Sequence, residues 1–159
     1  MKIISKNRKV FHDYKIDKEY EAGIILKGYE VKAIKSGQVN IKDSIIRIEE
    51  GILIINNMDI PLYKKTSPIM VPGYLSKGKR KLLVNKKELA KISSATDKDG
   101  NVIIPLEIYV NKRGFIKLKI GIGKLMRKIE KKQILKERDI KKQMDKEIKR
   151  LKSSKAIKP

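Results

Sequence analysis

Apolar positions recur every second residue through the middle of this chain and every third or fourth near its C-terminal end. Ile116, Leu118, Ile120 and Ile122 alternate with Lys117 and Lys119, the period of a strand with one buried face. Val102–Val110 precedes that strand across a turn at Asn111–Gly114, so a hairpin is predicted. Pro105 has no N–H to give to a ladder, which predicts an interruption or a sheet edge at that point. Ser44–Glu49 and Ile52–Asn57 flank Glu50-Gly51, a second hairpin signal. Tyr14-Lys15-Ile16, Ile24-Ile25-Leu26 and Leu82-Leu83-Val84 are further strand-like stretches.

Two short helices interrupt these strands. Within Gly28–Gly37, Val31 and Ile34 are three apart and Gly37 suits a helix C-cap. Asn85 suits an N-cap with Glu88 at the third helical position, a capping-box pair, and that helix is expected to reach Ser94. Pro61–Gly78 reads as a loop, punctuated by Pro68, Pro72 and Gly73. Asp97–Asn101 reads as a turn. Met1–Lys9 is polar and expected to be mobile. Four to six short hairpin-linked strands with small helices point to a mainly β fold, a small antiparallel barrel or curled sheet.

Charge divides the chain in two. Residues 124–159 hold 15 Lys/Arg against 5 Asp/Glu, and residues 1–123 hold 25 against 13, giving +10 and +12 of the total +22. The first part is read as a folded body and the second as a basic tail. Ile140, Met144, Ile148 and Leu151 fall on one narrow helical stripe among lysines. Such a helix is marginal in water, so it is expected to be mobile when free and to order on a polyanion. The surplus asks for a polyanionic partner. Nucleic acid leads, ahead of an anionic membrane surface or a merely solvated charge. The stripe lacks Trp and Phe, which argues against membrane.

The chemistry available is that of binding. The chain has no cysteine, so disulfides and cysteine–zinc sites are excluded and a reducing, cytoplasmic setting is expected. No cofactor or metal set is legible and no membrane span is expected. His12 beside Asp13 is the sole histidine and reads as a surface or stacking residue rather than an acid–base catalyst. Asn7, Arg8 and Lys9 with His12 and Tyr14 mix cations with flat rings. Lys79-Arg80-Lys81 forms a second cluster, and Lys32 and Lys35 share a helix face. With aromatics at only 5%, recognition is expected to rest on backbone and shape. A ribosomal or ribosome-assembly protein with a basic extension and an RNA-processing enzyme are the competing readings.

Several blocks resemble one family. N-R-K-V-F-H-D-Y at 7–14, Y-E-A-G-I-I-L at 20–26, G-Y-E-V-K-A-I-K-S-G-Q-V-N-I-K-D-S at 28–44 and K-R-K-L-L-V-N-K-K-E-L at 79–89 resemble the small protein B family. So do K-I-G-I-G-K at 119–124 and I-L-K-E-R-D at 134–139. These are the bacterial tmRNA-binding (SsrA-binding) proteins of trans-translation. The resemblance implies an oligonucleotide-binding-like antiparallel β-barrel and a long, conditionally helical tail. It implies that the body meets the tRNA-like part of tmRNA where a tRNA would have its anticodon arm. It implies delivery with elongation factor Tu to stalled ribosomes, the tail entering the vacant mRNA channel. The protein is expected to act as a monomer, not an enzyme.

Matched residue by residue, the body contacts so implied are Asn7, His12, Tyr14, Glu21, Glu30, Lys32, Asn40, Asp43, Arg80, Lys81 and Leu83, with Arg8, Lys9 and Lys35 added for their charge. For Glu21 and Glu30 a structural ion pair remains an equal alternative. In the tail, Gly123, Lys124, Lys128, Lys131, Lys132, Lys136 and Arg138 are expected to meet ribosomal RNA. The chain departs from the family at Ala33, Lys35 and Gln38, where Ser, Arg and Lys are usual. It also carries Ile129 where an aromatic or His is expected.

Overall fold

The computed structural model describes residues 1–98, 100–126 and 128–157, without the side chains of residues 128–131, 134 and 153–157. Among the described residues there are seven strands: β1 (Lys2–Lys6), β2 (Tyr14–Ile24), β3 (Ile45–Glu49), β4 (Ile52–Asn56), β5 (Arg80–Leu83), β6 (Asn101–Val110) and β7 (Ile116–Leu125). The helices are α1 (Arg8–Asp13), α2 (Gly28–Lys35), α3 (Lys86–Thr96) and α4 (Lys128–Ile157). Residues Met1–Leu125 form one compact unit and Met126–Pro159 another.

All pairings are antiparallel, in the order β1-β6-β3-β4-β5-β2-β7, and β6 also pairs with β7. That last pairing closes six strands into a ring, with β1 attached outside on β6. The interior is mostly branched aliphatic: Ile34, Ile41, Leu53, Ile55, Ile60, Ile92, Ile108, Leu118 and Ile120 are fully buried. β-Branched side chains suit a pleated, half-buried surface, and each buried one contributes about 1.5–3 kcal/mol.

β7 shows the predicted alternation, with Ile116, Leu118, Ile120 and Ile122 buried. It then continues past Ile122, where the sequence reading ended it. Gly123 permits this: a Cβ there would lie 2.3 Å from the Lys15 carbonyl oxygen on β2. Lys124, counted with the tail from sequence, and Gly123, named among the tail contacts, therefore belong to the sheet. The Glu50-Gly51 hairpin forms as expected, both residues having positive φ (50° and 76°), the pair of left-handed conformations a tight antiparallel turn needs. In α3 the Asn85 side chain accepts from the Glu88 N–H at 2.8 Å, and the helix runs two residues beyond Ser94.

Pro105 interrupts the ladder, as the sequence predicts, but within a strand paired on both sides and not at an edge; Met1–Lys9, expected to be mobile, forms β1 and the start of α1 for a related reason. The ladder shifts register between Pro105 and Glu107, and Asn7 docks at that bulge. Its backbone N–H donates to the Leu106 carbonyl at 2.7 Å and its side-chain amide to the Pro105 carbonyl at 3.1 Å. β1 then pairs along β6 from Lys2 to Lys6. The bulge absorbs the missing proline donor, and Asn7 ties the N-terminus to it. α4, taken by itself, is one continuous helix of 30 residues, about 45 Å long at 1.5 Å per residue. The expected stripe of Ile140, Met144, Ile148 and Leu151 is exposed.

Candidate nucleic-acid interface

Arg80 was expected to face RNA, and Glu30 either to face RNA or to form a structural ion pair. The structure turns both inward. Arg80 Nε donates to Glu30 Oε2 at 2.6 Å, in a pair whose side chains are only 5% and 8% exposed. Its Nη1 donates to the carbonyls of Met58 and Gly78, and its Nη2 to the Ser76 carbonyl and the Tyr74 hydroxyl. All five guanidinium N–H donors are thus occupied inside the fold. Glu30 Oε1 accepts from the Lys27 N–H at 2.9 Å, closing the first turn of α2. Tyr74 donates to the Ile60 carbonyl at 2.8 Å; burial, then the Glu30 charge, push its hydroxyl above the usual tyrosine range. A buried ion pair offsets its desolvation only with such complete bonding. The pair pins the 58–78 segment against α2 and β5: Glu30 takes the ion-pair alternative, and Arg80, expected at the RNA, is turned to a structural role.

The surface built on this network is the outer face of β5, β2, β7 and β6. Strand register lines up Leu83, Gly23, Lys117 and Tyr109 in one row, and Glu21, Lys119 and Glu107 in the next. Alternation along β5 buries Arg80 and Leu82 and exposes Lys81 and Leu83, the latter 56% exposed. Gly23 leaves a notch: a Cβ there would touch Leu83 and the Lys117 ammonium at 3.5 and 3.8 Å. Glu21 is exposed and accepts from the Tyr109 hydroxyl. Burial and this carboxylate raise the Tyr109 hydroxyl well above its usual value. Lys119 bridges Glu107 at 3.3 Å and Glu19 at 3.9 Å. The structure brings Glu21, Lys81 and Leu83, singled out from sequence, together with Gly23, Lys117, Lys119 and the buried Tyr109, which the sequence reading did not name as contacts. The alternation of β7 had marked those lysines as outward, but cross-strand register is not written in either strand alone.

The other cluster lies where β1 leads into α1, beside the turn that follows Asn40. There Asn7, Arg8, Lys9 and Asn40 line a cavity of about 390 Å³ together with Lys42. Tyr14 lines a neighbouring one with Asn7 and Lys9. Arg8, Lys9 and His12 are exposed, whereas Asn7 is 3% exposed and bolts the bulge instead of offering a surface. Asn40 holds the turn that follows it through the Lys42 N–H at 2.9 Å. Asp43 is exposed in that turn, and Lys32 and Lys35 are exposed on α2. In the tail, Lys132, Lys136 and Arg138 are exposed on α4. The side chains of Lys128, Ile129 and Lys131 lie outside the described residues.

No group of three or more metal-binding side chains occurs among the described residues. No described helix is long and apolar enough to cross a membrane. Fold and composition together define a cationic, closed-sheet protein. The chain belongs to the SmpB family, whose model, described as SmpB protein, matches residues 4–150. It is 44% identical over 147 residues to the SsrA-binding protein of Coprothermobacter proteolyticus, covering 92% of this chain and 97% of that one. It is 41% identical over 149 residues to the SsrA-binding protein of Persephonella marina, covering 94% and 95%. A chain in a solved structure described as "tmRNA-SmpB: a journey to the center of the bacterial ribosome" matches it with a TM-score of 0.63 at 37% identity. That match covers 82% of this chain and 93% of that one.

Proposed function

We propose that this chain binds tmRNA through its closed-sheet body and brings it to stalled ribosomes for trans-translation. The observation that carries the reading is the coincidence of family membership with one exposed face. Glu21, Lys81, Leu83 and Lys117 gather there from three strands. The lysines neutralise phosphates, and Glu21 offers an acceptor to a base amino group or a 2′-hydroxyl. Exposed Leu83 gives a base edge or ribose an apolar contact.

In this reading the protein works in the cytoplasm as a monomer and as an adaptor, not a catalyst. It meets elongation factor Tu through aminoacylated tmRNA. The tail, a dense line of cations, enters the vacant mRNA channel, where rRNA phosphates favour its helical form. The test is to sequence the RNA that co-purifies with the full chain from its own cells. tmRNA is expected to be the most enriched species; a pool without tmRNA enrichment overturns the proposal.

A further inference from the structure

Beside the candidate face, between the first turn of α2 and residues 74–81, lies a cavity of about 460 Å³. Two rings line it, Tyr29 and Tyr74, together with Ile25, Leu75, Lys27 and Lys81. Among the described residues, the cavities near Asn7 hold at most one ring, that of Tyr14. The Ile25 N–H donates to the Lys81 carbonyl at 3.0 Å, extending the β2–β5 ladder beyond Gly23 and Leu83. The cavity therefore continues the outward face on which Leu83 lies.

Its chemistry has three parts. The rings meet edge to face at 5.3 Å and 85°, an arrangement that uses only one of their four faces and leaves room for a flat ligand to stack. The Tyr74 hydroxyl is held by Ile60 and Arg80, so that ring is fixed and in turn sets Tyr29. Ile25 and Leu75 are exposed, at 52% and 73%, although this is a highly charged molecule. Lys27 and Lys81 have no acidic partner among the described residues, and Glu30 beneath them is already neutralised by Arg80. An apolar, aromatic hollow with cations at its rim matches one unit that is flat on one side and anionic on the other. A base inside a duplex has both faces covered, so only an unpaired nucleotide fits.

We propose that this cavity is a nucleotide pocket, taking one unpaired base of the bound RNA against Tyr29 while a backbone phosphate sits on Lys27 and Lys81. The proposal rests on the RNA-binding reading above and adds a specific subsite to it.

The test uses the full chain and tmRNA transcribed in vitro, measuring affinity by filter binding and base accessibility by chemical footprinting. Tyr29→Phe keeps the ring and is expected to bind within about twofold of the parent, whereas Tyr29→Leu is expected to lose about tenfold or more. One unpaired nucleotide should be protected by the parent and by Tyr29→Phe but exposed with Tyr29→Leu, the rest of the footprint being unchanged. A Lys27→Ala/Lys81→Ala variant, altered only at exposed positions, should uncover the same nucleotide even if Tyr29→Leu folds poorly. Unaltered affinity and footprint in the leucine and double-alanine variants overturn the pocket alone. So does a parental footprint that includes no unpaired base. A parent that binds no tmRNA overturns the underlying function as well.

Discussion

The closed sheet and the C-terminal helix carry similar surplus charge by different means. The first 123 residues hold +12 and the last 36 hold +10. In the sheet Lys117 and Lys119 of β7 alternate with inward isoleucines and leucines, and the cation Arg80 is used up inside. The helix has a stripe of four exposed apolar residues and cations around it. Charge counted along a sequence therefore does not identify contact residues. Arg80 lies inside and Lys81 beside it lies outside, because a strand sends neighbours to opposite faces.

The largest effect that would sharpen this contrast comes from cutting the chain after Met126, which keeps β7 whole. Tagging of stalled products is expected to fall to background, while tmRNA affinity stays within about threefold because the tail is assigned to the ribosome and not to tmRNA. Loss of tmRNA binding on truncation would erase the division between the two regions.

Next in size is Arg80→Met, which leaves Glu30 buried without its partner. We expect a loss of about 3–5 kcal/mol in urea unfolding, a penalty characteristic of breaking a buried pair from one side. Lys81→Met, one position along, should change stability by less than about 0.5 kcal/mol. Equal losses at the two positions would mean that Arg80 is not the internal cation described.

A third effect appears only in alkali. Tyr109 has its pKa raised by burial and by Glu21, whereas in the unfolded chain it titrates near 10. Above that pH the unfolded state gives up its proton first, so it binds fewer protons than the native state and stability falls as pH rises. Below it the contribution is fully present. Tyr109→Phe should flatten this part of the stability–pH curve; an identical slope in both proteins would reject the assignment.

The smallest effect concerns single surface cations. Lys81→Ala is expected to weaken tmRNA binding a few-fold and to lower the slope of log affinity against log salt by about 0.7–0.9, one phosphate's worth. An unchanged slope would remove Lys81 from the face.

Much of the fold was legible because its signals are local. The alternation of Ile116 to Ile122, the Glu50-Gly51 turn and the Asn85 cap each depend on neighbours within a few residues. What stayed hidden depends on residues far apart. Nothing near Met1–Lys9 announces a strand, since the bulge that receives it is made by Pro105, 98 positions beyond Asn7. Lys124 was counted with the tail because the constraint that marks Gly123 as part of the sheet, the Lys15 carbonyl, comes from β2. The candidate site divided along the same line. Glu21, Lys81 and Leu83 were identified through motif resemblance, but only three-dimensional register brings Lys117 and Tyr109 beside them. The inward turn of Glu30 and Arg80 follows from partners at Met58, Tyr74 and Ser76, in a loop without periodicity.

The ring closure also dictates when this molecule can finish folding. β2 pairs with β7 across some hundred residues of chain, Tyr14 opposite Leu125 at one end, a high contact order that slows folding. β2 must therefore wait for β7, the last strand in chain order among the described residues, before the ring can close.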